Sequence, residues 1–448
     1  MRSVSGLRGI VGTDLVPTVV KRYGAGFGAF VAGRGGRTVA IARDSRQSGP
    51  GFVAAASEGL RSAGVDVVDL GMVPTPTAQL AVELLRLDGG IVVTASHNPV
   101  EWNALKFIGR GGRFLTKPEV EDLFALVDAG RPAGRVRASG LSREDGAVRL
   151  HLDRVLGLPW LDLAAVRRRR FRVALDCVRG AGATIMPALL EALGCELHGI
   201  HLETDGAFPR EPEPIPEHLG ELGELVRRTT SDVGLAVDPD VDRLALVDET
   251  GRPIGEDYTL AFAVRAVLAH RAGPVVTNLS TSLVVDDAAR DFGVRVERAP
   301  VGEANVVERM AAAGAVVGGE GNGGVILPEV HLGRDAPVAA TLALALLASR
   351  GTPVSAIVNS APRYTILKAK IPRPAGSLEP AYAALAAAVP GASEDRQDGL
   401  RLALADRWVH VRPSGTEPVV RIIAEAPSAG EAEALIARGR AALTERGS

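Results

Sequence analysis

DGGIVVTASHNPVEWNALKF, residues 88–107, is the stretch that decides the fold of this chain. Its apolar residues 91–93 are followed by a polar segment, residues 94–99. A β-branched run between glycines and Asn-Pro predicts a buried strand that ends in a tight loop. In open α/β sheets, ligands bind at the loops that follow the carboxyl ends of strands. Ser96, with His97 beside it, is therefore a candidate phosphoryl or acyl carrier, unless the segment is only a turn that ends a strand.

Composition places the chain among globular proteins of several domains. Its 448 residues are enough for about three domains, and 46% hydrophobic and 23% charged residues are ordinary proportions. A net charge of −2 and only 4% aromatic residues argue against a nucleic-acid partner. The two cysteines, Cys177 and Cys195, are too few for a disulfide framework or a thiolate metal cluster.

The start of the sequence and its few lysines narrow the expectation further. MRSVSGLRGIVG lacks the pattern of a signal peptide, and no apolar run approaches the length of a membrane span, about 18 residues. We therefore expect a cytoplasmic protein with no membrane partner. Only five of the 51 basic residues are lysines, so a lysine near a candidate site is more informative than an arginine. Lys106 is such a residue, because it follows Ser96 by ten positions.

Residues 37–94 form a β-α-β-α-β pattern, and this pattern returns twice. The first unit has predicted strands at 37–44, 65–70 and 91–94 and helices at 50–64 and 75–87. The second has strands at 170–177, 195–201 and 233–237 and helices at 183–193 and 219–228. The third has strands at 274–278, 294–299 and 315–317 and helices at 257–271, 282–292 and 303–313.

Each unit presents a polar motif after its last strand. The motifs are the Ser96 segment, Asp-Pro-Asp-Val-Asp-Arg (238–243) and Gly-Glu-Gly-Asn-Gly-Gly (319–324). Three motifs at equivalent positions predict three similar mixed-sheet α/β domains around a central cleft. Strands predicted at 364–371, 400–405, 408–412 and 419–425 and helices at 378–389 and 430–444 indicate a C-terminal α+β domain. We expect these four domains at 1–142, 143–252, 253–358 and 359–448.

Asp238, Asp240 and Asp242 are spaced so that alternate carboxylates of a tight turn can converge on one hard cation. Oxygen ligands of this kind suit Mg²⁺. Arg243 follows directly and offers a forked contact for a phosphate. One alternative is a solvated acidic turn, which the apolar runs on either side disfavour because buried carboxylates need a partner. Another is a haloacid-dehalogenase-type phosphatase with Asp238 as its nucleophile, since AVDPDVDRL resembles that signature, but it leaves Ser96 unexplained.

Two further motifs are typical of anion and hydroxyl binding. RPSGTEP (412–418), with Arg421 beyond it, combines hydroxyls, a glycine and guanidinium groups into an anion nest, unless it is a bare turn. The glycines of 318–324 permit close approach of a ligand, and Glu320 and Asn322 offer polar groups that suit sugar hydroxyls. This loop does not match a nucleotide-binding loop, because no G-x-G-x-x-G opens a helix and no Walker lysine follows.

These motifs, in this order, resemble those of the α-D-phosphohexomutase superfamily, which includes phosphoglucomutase, phosphomannomutase and phosphoglucosamine mutase. The resemblance covers almost the whole chain and rests on TASHNP (94–99), DPDVDR (238–243), GEGNGG (319–324) and RPSGTEP (412–418). Leu7-Arg8-Gly9 is similar to the family's amino-terminal I-R-G motif. The family fold, three α/β domains and a smaller α+β domain around a cleft, agrees with the predicted pattern.

The resemblance implies a role for each matching residue. Ser96 would be the phosphoserine, and together with Asp238, Asp240 and Asp242 it would bind one Mg²⁺ per chain. Lys106 would transfer a proton, with Arg8 and His97 beside it at the reacting centre. The implied substrate contacts are Arg243 at the reacting phosphate, Glu320 and Asn322 at the sugar hydroxyls, and Arg412, Ser414, Gly415, Thr416 and Arg421 at the phosphate that does not react.

The resemblance also implies the reaction. The protein would be an isomerase that interconverts hexose 1-phosphates and 6-phosphates, with a hexose 1,6-bisphosphate as intermediate and activator. Its partner would be a small phosphosugar, and the chain would act as a monomer or homodimer. GEGNGG and FPREPEPIPEHL (208–219) are most similar to archaeal-type phosphoglucosamine mutases, which favours glucosamine phosphate over glucose or mannose phosphate. Many family members carry His where this chain has Gly324, and we hypothesise that His331 replaces it.

Three functions stay open at this stage. The first is a phosphohexomutase. The second is a metal-dependent aspartyl phosphatase that uses Asp238. The third is a sugar-phosphate binder in which Ser96 never carries a phosphate.

Overall fold

The computed structural model describes residues 2–3, 6–130, 138–414 and 418–444 of the chain. In this part of the chain the strands form four sheets, of which the first three mix parallel and antiparallel pairs. No helix among the described residues is both long and apolar enough to cross a membrane.

The first sheet has seven strands in the order β1-β2-β6-β5-β3-β4-β7. They are β1 (Arg2–Ser3), β2 (Gly6–Ile10), β3 (Thr38–Arg43), β4 (Asp66–Met72), β5 (Gly89–Val93), β6 (Trp102–Ile108) and β7 (Leu141–Arg143). The helices are α1 (Pro17–Gly33), α2 (Gly49–Ser62), α3 (Thr75–Leu84) and α4 (Lys117–Ala129), followed by α5 (Ala147–Leu156). β3 pairs in parallel with β4 and β5, whereas β6 runs antiparallel to β5 and β2.

The second and third sheets have four strands each. The second unit comprises α6 (Leu163–Arg169), β8 (Arg172–Asp176), α7 (Met186–Ala192), β9 (Glu196–Ile200), α8 (Gly220–Thr229), β10 (Val233–Val237) and β11 (Leu244–Val247), with 3₁₀ turns at Ala181–Thr184 and Pro216–His218. The third comprises α9 (Asp257–Leu268), β12 (Val275–Asn278), α10 (Leu283–Arg290), β13 (Val296–Ala299), α11 (Glu303–Ala313), β14 (Val317–Glu320), β15 (Gly324–Ile326), α12 (Ala336–Arg350) and α13 (Val354–Asn359).

All three sheets share one four-strand core, which confirms the expectation of three similar α/β units. The orders are β4-β3-β5-β6, β9-β8-β10-β11 and β13-β12-β14-β15. In each core the fourth strand is antiparallel and follows directly after the loop that carries the polar motif. The three motifs therefore occupy equivalent positions in the three sheets.

The C-terminal sheet is antiparallel throughout, in the order β16-β20-β19-β18-β17. Its elements are β16 (Thr365–Pro372), α14 (Glu379–Ala388), β17 (Ser393–Asp395), β18 (Leu400–Ala403), β19 (Trp408–Pro413), β20 (Val419–Ala426) and α15 (Ala429–Thr444). The domain docks on the third unit through Glu425 of β20. This buried carboxylate accepts the N–H of Leu283 (2.9 Å) and the hydroxyl of Ser282, and so caps the start of α10.

The strands that lead to the first two motifs are deeply buried. Every residue of β5 and β10 is buried, which explains their continuous apolar sequences. One hydrophobic cluster joins the second and third units, with side chains such as Leu235 of β10, Phe262 of α9 and Leu342 of α12. Because this core is shared, the loops after β10 and β14 are held in a fixed relation.

The predicted bounds agree with the structure for β10 and α11, but two differences affect the site. The strand predicted at 315–317 is β14, so Glu320 is the last residue of a strand and not part of a free loop. The strand β6, which carries Lys106, and the helix α12 were not predicted. α12 is buried on nearly all sides, so its sequence lacks the polar face that marks a surface helix.

Candidate active site

Ser96 lies on a strained turn directly after β5. Its φ angle is +50°, in the left-handed region that residues with a side chain rarely adopt. Its backbone N–H donates to Oγ1 of Thr94 (3.0 Å). Ser96 is 3% exposed, and its hydroxyl donates to Oδ2 of Asp238 at 2.8 Å. The motif of the first unit therefore meets the motif of the second.

The buried guanidinium group of Arg46 supports this turn through hydrogen bonds. Nε of Arg46 donates to Oδ2 of Asp44 (3.1 Å). The two terminal nitrogens of Arg46 donate to four carbonyl oxygens, those of Ser96 (2.6 Å), Asn98 (2.6 Å), Pro99 (2.7 Å) and Trp102 (2.9 Å). Buried carbonyls of an irregular loop need such partners, so Arg46 fixes the shape of the loop. Arg46 was not predicted as a site residue, although the charged segment ARDSR (42–46) at the end of β3 could have indicated it.

Asp238, Asp240 and Asp242 converge because the backbone between them is bent. Val241 has a φ of +66°, which is costly for a β-branched residue. All three carboxylates are buried, and one oxygen from each lies within 4.8 Å of the others. Oδ1 of Asp240 and Oδ1 of Asp242 have no hydrogen-bond partner among the described residues. A hard cation would satisfy both oxygens, so the residues present fit a metal ion.

Lys106 is a cation in direct contact with this carboxylate triad. Its Nζ donates to Oδ2 of Asp240 at 2.7 Å, and Oγ1 of Thr75 donates to the same oxygen at 2.6 Å. Burial would raise the pKa of Asp240, but the Lys106 ammonium holds that pKa below its ordinary value. Burial, together with the charges of Asp242 and Asp240, raises the pKa of Asp238 well above its ordinary value. The triad therefore either retains a proton or takes up a cation.

Arg8, His97 and Arg243 lie around the same loops. Nη1 of Arg8 donates to Oδ1 of Asn98 in the serine loop (2.6 Å). Nη1 of Arg243 donates to Oε1 of Glu213 (3.0 Å), and this oxygen lies 3.9 Å from Nε2 of His97. Burial, then the positive charges of Arg243 and Arg8, lowers the pKa of His97 well below its ordinary value. Burial and the charges of both guanidinium groups therefore disfavour the protonated form of His97.

Glu320 is held in place at the end of β14. Its Oε1 accepts from Nδ2 of Asn278 (2.8 Å) and from the N–H of Gly302 (3.0 Å). Asn322 lies two residues further on, and its Oδ1 accepts the N–H of Gly324 (3.2 Å), which closes the loop on itself. Of the two predicted sugar contacts, Glu320 thus ends β14 and Asn322 lies within the tight turn that leads to β15.

Arg334 connects the carboxylate triad to Glu320. Its Nη2 donates to Oδ2 of Asp242 (2.6 Å) and its Nη1 to Oε2 of Glu320 (2.9 Å). The sequence analysis missed this residue, and a run of six residues such as VHLGRD (330–335) between two elements gives little sign of it.

Arg412 and Arg421, the two arginines of the predicted phosphate-binding motif, lie on β19 and β20. Nε of Arg412 donates to Oδ2 of Asp398 (2.7 Å), and Arg412 is paired with Arg421 across the two strands. Oδ2 of Asp398 also accepts the N–H of Val301 (3.2 Å), next to Gly302, whose N–H binds Glu320. This motif is therefore connected to the third unit near Glu320. Ser414 is described, and its N–H donates to the carbonyl of Val419 (2.8 Å), whereas Gly415 and Thr416 lie outside the described residues.

His331, the residue hypothesised to replace a histidine at position 324, makes its side-chain hydrogen bond to Asp335 and not to the sugar loop among the described residues. Its ring is 3% exposed, and Nε2 donates to Oδ2 of Asp335 (2.9 Å). Nε2 of His151 donates to the same oxygen (2.8 Å), and Nδ1 of His151 pairs with Oγ1 of Thr77 (2.8 Å). His331 thus belongs to a buried network between α3, α5 and the start of α12, and the hypothesis that it serves the sugar loop finds no support in its contacts.

Comparison with protein families follows the same four-part division. Models of the phosphoglucomutase/phosphomannomutase family match residues 2–133 (alpha/beta/alpha domain I), 151–251 (domain II), 255–364 (domain III) and 367–442 (C-terminal domain). The four models follow one another in order, and each covers all or most of one of the four sheets.

Whole-chain comparisons agree with the family models. The probable phosphoglucosamine mutase of Methanopyrus kandleri is 37% identical over 437 residues, covering 96% of this chain and 95% of that protein. A phosphoglucomutase/phosphomannomutase of Thermococcus kodakarensis is 36% identical over 453 residues, covering 98% and 97%. The crystal structure of a phosphoglucomutase/phosphomannomutase family protein from Burkholderia thailandensis superposes with a TM-score of 0.88 at 29% identity, covering 100% and 99%. The chain belongs to the phosphoglucomutase/phosphomannomutase family.

Proposed function

We propose that this chain is a phosphohexomutase that interconverts hexose 1-phosphates and 6-phosphates, with glucosamine phosphate as its preferred substrate. The observation that carries the proposal is the hydrogen bond from Ser96 to Asp238 inside a buried carboxylate triad that fits a cation. A phosphoserine carries a charge of about −1.5 to −2 and needs a nearby cation. A serine that only ends a strand needs none.

In this proposal Ser96 is both phosphoryl donor and acceptor. One Mg²⁺ per chain, held by Asp238, Asp240, Asp242 and an oxygen on Ser96, would neutralise charge on the group in transfer. Lys106 is the proposed proton-transfer group. Its ammonium is held by Asp240, so it is charged at rest and would give its proton to the Ser96 oxygen as the phosphoryl group leaves.

The proposed reaction consists of two transfers to and from the same serine. The bond from phosphorus to Oγ of Ser96 breaks as a bond to the free sugar hydroxyl forms, and the proton of that hydroxyl replaces the one given by Lys106. The product is a hexose 1,6-bisphosphate, which turns end over end and returns its other phosphate to Ser96. Added bisphosphosugar would therefore act as an activator, because it would transfer a phosphoryl group to Ser96 in those molecules that have lost it.

The proposed substrate contacts follow from this turn of the intermediate. Arg8 and Arg243, together with His97, would hold the oxygens of the reacting phosphate. Glu320 and Asn322 would bind the sugar hydroxyls. The contacts to the phosphate that is not reacting would come from the C-terminal domain, namely Arg412, Ser414, Gly415, Thr416 and Arg421. One phosphate site can serve both orientations of the intermediate because it lies away from the serine.

The engagement of Asp238 argues against an aspartyl phosphatase. Oδ2 of Asp238 accepts the Ser96 hydroxyl, and Oδ1 accepts the N–H of Arg243 (3.2 Å). A nucleophilic carboxylate would have to give up one of these bonds before it could attack. A protein that only binds sugar phosphates is also disfavoured, because strain such as the positive φ of Ser96 is concentrated at sites of chemistry.

The choice of sugar rests on weaker support than the reaction. The Methanopyrus kandleri relative is named a probable phosphoglucosamine mutase, whereas the Thermococcus kodakarensis relative is named a phosphoglucomutase/phosphomannomutase. We therefore place glucosamine phosphate first and glucose and mannose phosphates second.

The proposal is tested by assaying the purified protein with the 1-phosphates of glucosamine, glucose and mannose. Each assay contains Mg²⁺ and a trace of the bisphosphosugar, and kcat/KM is compared. We expect a 6-phosphate product, the highest kcat/KM for glucosamine 1-phosphate, and an added mass of about 80 Da on the peptide that holds Ser96.

Two variants separate the three possible functions. Ser96→Ala removes the phosphoryl carrier, and we expect at least about a thousandfold loss of turnover. Full activity of Ser96→Ala would disprove the mutase. Net release of inorganic phosphate that Asp238→Asn abolishes would instead favour the aspartyl phosphatase, and binding with neither activity would favour the sugar-phosphate binder.

A further inference from the structure

Arg334 lies in the segment between β15 and α12 and contacts three carboxylates from separate parts of the chain: the loop after β10, the start of α11 and the end of β14. Besides Asp242 and Glu320, its Nε donates to Oε2 of Glu303 (3.0 Å) and its backbone N–H to Oε1 of Glu303 (3.3 Å). The side chain is 10% exposed. A planar guanidinium with five N–H groups is the side chain best able to bind several carboxylates in fixed directions.

The contact with Asp242 engages one of the two oxygens of that carboxylate in a hydrogen bond. Oδ2 of Asp242 is taken by Arg334 (2.6 Å) and lies 3.4 Å from Nζ of Lys106. Oδ1 has no hydrogen-bond partner among the described residues, and the guanidinium of Arg243 lies 3.8 Å from it. Arg334 therefore holds Asp242 with one oxygen engaged and the other free for a cation.

The contact with Glu320 likewise engages one oxygen of the carboxylate that is proposed to bind the sugar. Oε1 of Glu320 is held by Asn278 and by the N–H of Gly302, and Oε2 is held by Arg334. The orientation of Glu320 relative to Asp242 thus depends on a single guanidinium group that touches both.

Gly324 is the residue whose lack of a side chain leaves room for Arg334. A Cβ atom at position 324 would lie 2.2 Å from Cδ and 2.9 Å from Cγ of Arg334, closer than real contacts allow. The stem of Arg334 occupies the space that a side chain at position 324 would need. Glycine at 324 and arginine at 334 are therefore linked, and a histidine at 324 would displace the guanidinium.

We propose that Arg334 is a positioning residue. It fixes the relative orientation of two carboxylates, that of Asp242, which is proposed to bind the metal, and that of Glu320, which is proposed to bind the sugar. Position 324 is glycine because a side chain there would take the space of Arg334. The inference rests on the proposed function for the identity of the two ligands. The contacts that carry it do not depend on which sugar is the substrate.

The key variant is Arg334→Lys, because it keeps the positive charge and loses the fork. Arg334→Met removes the charge as well. Gly324→Ala leaves Arg334 in the sequence but pushes its side chain out of place. The matched control is Arg265→Lys, since Arg265 of α9 has a side chain that is 12% exposed and pairs with Asp291 away from the triad. For each protein we would measure thermal unfolding, the Kd of Mn²⁺ by calorimetry, and kcat and KM for glucosamine 1-phosphate at saturating Mg²⁺.

We expect Arg334→Lys and Gly324→Ala to weaken Mn²⁺ binding by about tenfold and to raise KM by about tenfold, as is usual when the partner of a metal ligand is lost. Arg265→Lys should leave both values unchanged. The proposal is overturned if Arg334→Lys binds Mn²⁺ as wild type does while Arg334→Met binds it more tightly, because Arg334 would then act only through its charge. It is also overturned if Arg334→Lys and Gly324→Ala lower the melting temperature alone, with Kd and KM unchanged in the folded protein.

The Mn²⁺ measurement separates this inference from the proposed function. If the wild-type protein shows no mutase activity but its Mn²⁺ affinity depends on Arg334, the proposed function fails and the positioning of Asp242 stands. If the wild type is an active mutase whose Kd and KM do not respond to either variant, the function stands and the positioning role fails. Should Arg334→Lys not fold, Gly324→Ala tests the same contact from its other side.

Discussion

The hydroxyl of Ser96 donates to Oδ2 of Asp238 at 2.8 Å, although 142 residues separate the two in the chain. Ser96 follows the central strand β5 of the first sheet, and Asp238 follows the equivalent strand β10 of the second. The contact exists only if both units present their loops to the same side. The serine and the carboxylates can then act on one phosphoryl group, which neither unit could bind alone.

The first prediction concerns the balance between metal binding and stability at Asp238. Three buried carboxylates repel one another, so Asp238→Asn removes a repulsion and should leave the metal-free protein as stable as wild type or more so. The same change removes a metal ligand. We expect Mg²⁺ to raise the melting temperature of the wild type by several degrees and that of Asp238→Asn hardly at all.

Asp248→Asn is the matched control for this experiment. Asp248 is buried after β11 of the same sheet, but its oxygens accept from the turn at Thr250 and Arg252. Its amide variant should be less stable than wild type and should keep the full response to Mg²⁺. An equal Mg²⁺ response in Asp238→Asn and wild type would show that the triad is not the metal site.

The second prediction concerns the support of the serine loop by Arg46. Lysine cannot reach four carbonyls at once, so Arg46→Lys leaves buried acceptors unpaired and should lower stability by about 3 kcal/mol. Without these bonds the left-handed turn at Ser96 relaxes, and we expect kcat to fall by about 10- to 100-fold. Arg43→Lys is the control, since among the described residues the side chain of Arg43 donates to a single carbonyl, that of Asp44 (2.9 Å).

The outcome is measured as single-turnover transfer from phosphorylated protein to glucose 1-phosphate, so that folding and chemistry are separated. If Arg46→Lys transfers its phosphoryl group at the wild-type rate in the folded fraction, the loop does not depend on Arg46 and its role is stability alone.

The sequence was sufficient to predict those parts of the site that consist of contiguous motifs. Ser96 and Asp238 follow apolar strands with β-branched residues, and Glu320 is the last residue of such a strand. Strands of this kind can be recognised without any tertiary information. The repeated order of strands, helices and motifs then indicated three similar units. Nothing in these patterns required knowledge of which side chains would meet.

The residues that the sequence did not reveal act through contacts between distant segments. Arg46 is bound to carbonyls 50 to 56 positions away, and Arg334 reaches Asp242 from 92 positions away. In a chain with so many arginines, neither position stands out. Lys106 was placed by its distance from Ser96, but its strand β6 escaped notice because Asn103 and Lys106 interrupt the apolar pattern of a buried strand.

The third prediction concerns the buried network around Asp335. Oδ1 of Asp335 accepts the N–H of Val338 and caps α12, while Oδ2 accepts from His151 and His331. His331→Ala removes one donor and leaves a cavity, so we expect a loss of about 1–3 kcal/mol in stability. Because the side-chain hydrogen bond of His331 among the described residues goes to Asp335 and not to the sugar loop, the ratios of kcat/KM for the three sugar phosphates should not change.

His331→Gln serves as the conservative variant for this network, because its amide can still donate to Asp335 and should restore part of the stability. A change in the ratio of kcat/KM between glucosamine and mannose 1-phosphates in His331→Ala would contradict the prediction. Such a change would indicate that His331 contributes to sugar binding.

The fourth prediction concerns pH and the docking of the C-terminal domain through His410. Nε2 of His410 lies 2.7 Å from the carbonyl of Asp398, which can only accept, so Nε2 carries the proton and Nδ1 accepts from Oγ of Ser280 (2.8 Å). The imidazole is therefore neutral in the folded protein. Burial lowers the pKa of His410 to about 4, and the charges of Arg412 and Arg401 act in the same direction.

A histidine whose pKa is lower in the folded than in the unfolded state makes the unfolded state bind more protons as the pH falls. Stability is therefore complete above the unfolded pKa, about 6.5, and is lost progressively as the pH falls towards about 4. Between about pH 7.5 and pH 5, His410 alone should cost wild type about 2 kcal/mol, a loss that His410→Gln should not show. Denaturant unfolding of the two proteins at both pH values measures the difference. His198→Gln, which changes a half-buried histidine on β9, should behave as wild type does. An equal loss in wild type and His410→Gln would mean that His410 is protonated without cost, and that the contact with Ser280 does not hold the C-terminal domain in its docked position.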